Sequence, residues 1–175
     1  MSIQVAQNAR QTDELFSEVY ARLKTMAARQ VAAAYGTAMN PTVLVHELYL
    51  RMSANRELTF SHPAQFFCYA AHAMRHLLLD MAQAHRSQRG GGQWLQVTLT
   101  ARNESFVLES ADQVIALDRA LNRLAENDTR AARVIELRYF AGLTSEQAAT
   151  ALGISKRTAD RDWIFALAFL KTDLA

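Results

Sequence analysis

Glycine and proline are scarce in this chain, and their positions decide most of what it can fold into. There are 2 prolines and 6 glycines in 175 residues, and three of the glycines are consecutive in "RSQRGGGQWLQVTLTARNES". These two residue types are the strongest local breakers of regular structure, so the long stretches without them are free to run as helices. The glycine cluster divides the chain into two mostly helical halves. Before it, Leu15, Phe16, Val19, Leu23 and Met26 recur at three- and four-residue steps, the period of an amphipathic helix. A second helix is expected from about Pro41 to Ser53, and a third from "SHPAQFF" to about Arg86. After the cluster come "DQVIALDRALNRL", "DTRAARVIELRYF" and two further helical segments separated by a glycine. "QWLQVTLT" alternates weakly, but a strand there has no obvious partner, so it reads as extended linker. Fully extended, such a linker over residues 90–110 reaches roughly 65–70 Å, about 20 base pairs of duplex.

The most informative motif is "LTSEQAATALGISKRTADRDWIFALAFLK". Thr144 with Gln147 three residues on makes a capping-box pattern, which starts a helix at Ser145. Gly153 suits the left-handed turn that ends it after Leu152, and Ser155 can cap the next helix two residues later. Two helices joined so tightly cross steeply, as in a helix-turn-helix. Ala148 and Ala149 are small enough for the crossing, and Ile154, Ala159, Trp163, Ala166, Leu167 and Leu170 form the inward face. Lys156, Arg157, Asp160, Arg161 and Ile164 are left facing outward, with Lys156, Arg157 and Thr158 in the first turn, where a recognition helix meets the major groove. Arginine there can hold phosphate or guanine with two hydrogen bonds. The plainer alternative is a helical hairpin with solvated charges, and Asp160 and Asp162 favour it because carboxylates repel phosphate. Segment 111–175 carries nine basic and nine acidic side chains, so any DNA contact made by this half alone is small.

The middle helix has an apolar face of Phe67, Ala71, Met74, Leu78 and Met81. Its other face carries Gln65, Tyr69, His72, His76, Gln83 and Arg86, flanked by Arg75 and Asp80. Read alone, it is an ordinary amphipathic helix with packed aromatics. The alternative is that aromatics interleaved with polar groups, preceded by Phe60 and His62, stack on exposed bases. His72 and His76 stand four apart, a metal-ligand spacing, but no third ligand converges on them and "HAMRH" lacks the glutamate of a zinc-protease motif, so no metal or other cofactor is expected.

Composition excludes several classes. The chain is long enough for one ordinary domain or two small ones. The formal charge of +2, from 19 Lys and Arg against 17 Asp and Glu, announces no overall attraction to polyanions. The single cysteine, Cys68, allows no internal disulfide, and its apolar neighbours make it packed rather than reactive. The polar N-terminus lacks the apolar run of a signal peptide, and no stretch approaches the ~20 apolar residues of a membrane span, so a cytoplasmic protein is expected. With no Gly-rich phosphate loop, nucleophile elbow or carboxylate pair, an enzyme is not expected.

Taken in order, "LVHELYLRM", "AMRHLLLDMAQAHRSQRGGG", the linker, "RVIELRYFAGLTSEQAATALGISKRTADRDW" and "FALAFLK" resemble a bacterial extracytoplasmic-function (ECF) sigma factor, over nearly the whole chain. The resemblance implies an all-α protein of two small helical domains. Residues 1–89 would bind the clamp of the largest subunit of core RNA polymerase and melt the minus-ten element. Residues 111–175 would read the minus-thirty-five element, with a flexible linker over 90–110 between them. Carried over by position, Leu44, Val45, Glu47, Leu48 and Arg51 match the polymerase-binding helix. Phe60, His62 and Phe66 fall at the base-capturing loop, and Arg75, His76 and Asp80 on the helix with minus-ten contacts. Lys156, Arg157, Thr158 and Arg161 match the recognition helix. The implied partners are core polymerase and promoter DNA; no membrane is implied, and nothing speaks for or against an anti-sigma factor. The alternative is a helix-turn-helix regulator that acts without polymerase.

The chain departs from the pattern at Gln83, Ala84, Asp160 and Ile164, positions that are frequently basic in the family. The larger departure is at Asn40, Pro41, Thr42 and Val43, where typical members have an acidic run leading into the clamp-binding helix. A phosphate on Thr42 would restore that acidity in a helix first turn, where the dipole and free amides favour an anion. The resemblance links some groups lacking the acidic run to Ser/Thr kinases, which makes Thr42 a candidate phosphorylation site. The simpler alternative is that Thr42 only starts the helix.

Overall fold

The computed structural model describes residues 41–54, 60, 62–87, 97–101 and 104–175, together with positions 14, 17 and 24, which are helical. The remainder of the first expected helix, including Leu15, Phe16, Val19, Leu23 and Met26, lies outside the described residues, as does the glycine cluster at 90–92. Among the described residues the architecture is all-α, as expected: α1 (Pro41–Ala54), α2 (Pro63–Ser87), α3 (Ala111–Asn127), α4 (Thr129–Tyr139), α5 (Ser145–Leu152) and α6 (Lys156–Asp173).

The exception is a β-hairpin, β1 (Val97–Ala101) with β2 (Glu104–Leu108), where the sequence suggested an extended linker. The strand that lacked an obvious partner finds one in "ESFVL", two residues further along. Val97 opposes Leu108 and Leu99 opposes Phe106, in antiparallel register. A two-stranded ribbon is marginal by itself, and here it is held by packing. Leu99, Ala101 and Leu108 are buried, and the strands lie against α3 and α4. Part of the segment between the halves is therefore a piece of the core.

Local signals set the helix limits. Ser110 accepts a hydrogen bond from the Gln113 amide and so starts α3. Asp128 ends α3 and also caps α4, accepting from the Ala131 amide at 2.9 Å, where a carboxylate is further favoured by the helix dipole. α3 turns Val114, Ile115, Leu117, Leu121 and Leu124 inward, a three-and-four-residue stripe. In α4, Arg138 is buried with its guanidinium 3.7 Å above the Trp163 ring of α6, beside Tyr139. That cation–π stack lets a charged residue occupy the core.

The two halves pack together. α2 lies against α3, α4 and α5, while α1 rests on α2 through the fully buried Val45 and Leu48 and the nearly buried Met52. No helix among the described residues is long and apolar enough to cross a membrane.

Candidate nucleic-acid interface

α5 and α6 form the helix-turn-helix as the sequence predicts. Thr144 accepts from the Gln147 amide at 3.2 Å and the Gln147 side chain accepts from the Thr144 amide at 3.0 Å, which completes the capping box. Gly153 takes φ 65°, the left-handed conformation that costs glycine nothing, and Ser155 caps α6 through the Thr158 amide at 3.1 Å. Ala159, Trp163, Ala166, Leu167 and Leu170 are buried, which fixes the rotation of α6 about its axis. Lys156, Arg157, Arg161, Ile164 and Phe165 are consequently exposed.

Asp160 and Asp162, the two acids that spoke against DNA contact, are turned away from it. Asp162 is buried and receives Arg130 at 2.5 and 3.1 Å. Asp160, expected to face outward, accepts a hydrogen bond from the buried hydroxyl of Ser145 at the start of α5. Both carboxylates thus tie α6 to its neighbours, and the outer face is left cationic and apolar. Lys156 reaches Glu146 at 3.1 Å, whereas Arg157 has no ion-pair partner among the described residues. Thr158 is half-buried, its hydroxyl 2.9 Å from that of Ser155, so it secures the cap.

The residues matched to minus-ten contacts are dispersed. Phe60 and Phe66 are core residues: their rings meet edge to face at 5.4 Å, and Phe60 also meets Tyr69 at 5.8 Å. Neither ring is open to a base in this arrangement, because the same apolar surface that suits stacking is used to seal the end of α2. His62 is exposed at the start of α2. His76 is exposed and its Nε2 lies 2.9 Å from that of His72. Partial burial, and then the neighbouring His72 and Arg75, push the His76 pKa down.

Arg75 is 6% exposed and is the centre of a network between the halves. Its guanidinium donates to Asp118 Oδ1 at 2.8 Å, to the Asp118 carbonyl at 2.9 Å, to Asn122 Oδ1 at 2.6 Å and to Glu136 Oε1 at 2.6 Å. His72 Nδ1 stands 3.8 Å from the same Glu136 oxygen. Burial would raise the Glu136 pKa, but the nearby His72 ring and the Arg75 hydrogen bond outweigh it and hold the carboxyl below its usual range. Arg75, expected to face promoter DNA, instead satisfies two carboxylates of α3 and α4.

On α1, Val45 and Leu48 are fully buried and serve to attach the helix to α2. The side chains of Thr42 and Leu44 lie outside what is described, although both residues are helical and the first turn of α1 holds no acid. Glu47 and Arg51 remain accessible, with Arg51 bridging Glu47 at 3.2 Å and Asp80 of α2 at 2.8 Å. That bridge joins a residue matched to polymerase binding to one matched to minus-ten contact. Leu50, 49% exposed, was missed by the sequence reading. Its signal was present: it falls three residues after Glu47 and two after Leu48, on the side of α1 opposite the core.

Between the halves lies a cleft of about 440 Å³ lined by Gln65, Cys68, His72, Arg133 and Glu136 among others. Burial pushes the Cys68 thiol pKa up, which leaves it a poor nucleophile. No three His, Cys, Asp or Glu side chains converge to hold a metal among the described residues.

A family model described as "ECF sigma factor" matches residues 3–175. No curated protein matches the chain.

Proposed function

The chain belongs to the ECF sigma factor family, and on that premise we propose that it binds core RNA polymerase and directs it to specific promoters to initiate transcription. Polymerase supplies the chemistry, and the protein acts in the cytoplasm beside it. The observation that carries the promoter-reading part is the capped helix-turn-helix, with Lys156, Arg157 and Arg161 exposed and Asp160 and Asp162 bound inward. In this reading α6 enters the major groove of the minus-thirty-five element. The surface around His62, His76 and Asp80 faces the minus-ten element. The accessible side of α1, with Glu47, Leu50 and Arg51, meets the polymerase clamp. A cationic face this small suffices because polymerase delivers it, so that the second contact becomes effectively intramolecular.

Regulation by phosphorylation at Thr42 belongs to the same reading. The first turn of α1 holds no acid. A phosphate adds about −1.5 to −2 charges there, beside the free amides and positive dipole end of the helix. The unmodified chain then assembles weakly with polymerase, and a Ser/Thr kinase switches it on. The test is a reconstitution with purified core polymerase, a promoter library and the chain in four forms: unmodified, phosphorylated at Thr42, Thr42→Ala and Leu50→Glu. Promoter-specific transcripts from the phosphorylated form, few from Thr42→Ala and fewer from Leu50→Glu are the expected result. Full activity of Thr42→Ala under inducing conditions in cells removes the switch. DNA binding by the chain alone, with no transcripts from any form, replaces the sigma-factor reading by that of a polymerase-independent regulator.

A further inference from the structure

Ile164 is the most exposed of the large hydrophobic residues on the described surface, at 68%, and it stands in the middle of the helix that carries the cationic contacts. Arg157, Arg161, Ile164 and Ala168 follow one another at steps of four, three and four, so they form one stripe along α6. That stripe is opposite the buried one made by Ala159, Trp163, Ala166 and Leu170. The rotation of α6 is fixed by that burial and by the Arg130–Asp162 pair, so Ile164 cannot turn inward without dismantling the domain. Its apolar surface is therefore presented to whatever Arg157 and Arg161 approach.

We infer that Ile164 reads a thymine of the minus-thirty-five element by packing on its C5-methyl group in the major groove. This rests on the reading of α6 as the groove-entering helix. In the major groove the one apolar group that distinguishes bases is the thymine methyl; the other discriminating groups are hydrogen-bond donors and acceptors, which isoleucine cannot satisfy. Isoleucine is also stiff at χ1, so its methyl groups are held in place before binding. Ile164 lies seven residues beyond Arg157, roughly 10 Å along the helix axis at 1.5 Å per residue. Projected on the duplex axis, that separation is at most about three base-pair steps, so the thymine lies within about three positions of the base or phosphate that Arg157 holds.

The test uses holoenzyme assembled from core polymerase and the full chain, on a promoter selected by that holoenzyme. Each thymine of the minus-thirty-five element is replaced singly by deoxyuridine, which removes only the methyl. One replacement should weaken binding by about fourfold, the effect of losing one buried methyl-sized group. Holoenzyme carrying Ile164→Ala should bind the normal promoter more weakly and be indifferent, within twofold, to the same replacement, while Ile164→Val should keep part of the discrimination. Because Ile164 is exposed, the alanine variant keeps the folded core. Failure of every deoxyuridine to change wild-type binding, or equal sensitivity in Ile164→Ala, overturns the inference while leaving the sigma-factor reading in place. Binding that ignores replacement of the entire minus-thirty-five element overturns both.

Discussion

Replacing Arg75 by alanine removes the guanidinium that, among the described residues, pairs with the carboxylates of Asp118 and Glu136 in the network between the halves, and leaves Glu136 only the His72 ring at 3.8 Å. The side chains of Arg75, Asp118 and Glu136 are 6%, 13% and 14% exposed, so water screens them poorly. Four hydrogen bonds end on the guanidinium, two of them on charged acceptors. Their individual worth is not additive; the governing quantity is the cost of leaving two carboxylates partly buried and unpaired. Breaking a buried pair in this way costs about 3–5 kcal/mol, and the partial exposure of the two acids places the expected loss near the lower figure. That is a large share of the ~5–15 kcal/mol that holds a domain of this kind together. Equilibrium urea denaturation, followed by far-ultraviolet circular dichroism, should show the midpoint fall. Neutralising the orphans as well, in Arg75→Met with Asp118→Asn and Glu136→Gln, should recover more than half of the loss, because the penalty comes from unpaired charge rather than from lost volume. A loss below about 1 kcal/mol for Arg75→Ala, or no recovery in the triple variant, would refute the reasoning.

Acidification should loosen the same seam. His76 and Glu136 both have folded-state pKa values below their ordinary values of 6.5 and 4.5, so the unfolded chain takes up protons that the folded chain resists. Each contribution is present above the ordinary value and is lost as pH falls through it and on through the folded value, so urea midpoints should decline in two stages, the first near pH 6.5 and removed by His76→Gln, the second below pH 4.5 and reduced by Glu136→Gln, with the Arg123–Asp173 pair supplying the remainder below about pH 3.8. Gly153→Ala should destabilise the helix-turn-helix by about 1–2 kcal/mol in the same assay through backbone strain alone, since φ is +65° and a Cβ there meets nothing within 4 Å; Gly153→Asn, which tolerates that conformation, should cost clearly less.

The helix-turn-helix was legible because its signals are local. Thr144 and Gln147, Gly153 and Ser155 act within one turn of chain, and each does in the structure what its residue type suggests. The fate of the acids was not legible, because it depends on distant partners: Asp162 meets Arg130 from 32 residues away, and Asp160 meets Ser145 from 15. The hairpin was hidden for a related reason. Its first strand was visible as weak alternation, but the partner "ESFVL" carries only one period of apolar residues, and the packing of Leu99 and Leu108 on α3 and α4 supplies the rest.

Arg75 shows what sequence patterning leaves open. On the helical wheel of α2 it flanks the polar face, and a long cation there suits a phosphate as well as it suits two carboxylates. The choice is made by Asp118, Asn122 and Glu136, which lie 43, 47 and 61 residues further along the chain and reach the guanidinium only because α2 packs on α3 and α4. The same guanidinium cannot satisfy those groups and a DNA backbone at once. A minus-ten role for Arg75 therefore requires α2 to part from α3 and α4, and the Arg75→Ala measurement reports what this one network contributes against that parting. His62 just before α2, His76 on it, and Arg157 and Arg161 on α6 carry no such condition, because they are exposed with the seam closed.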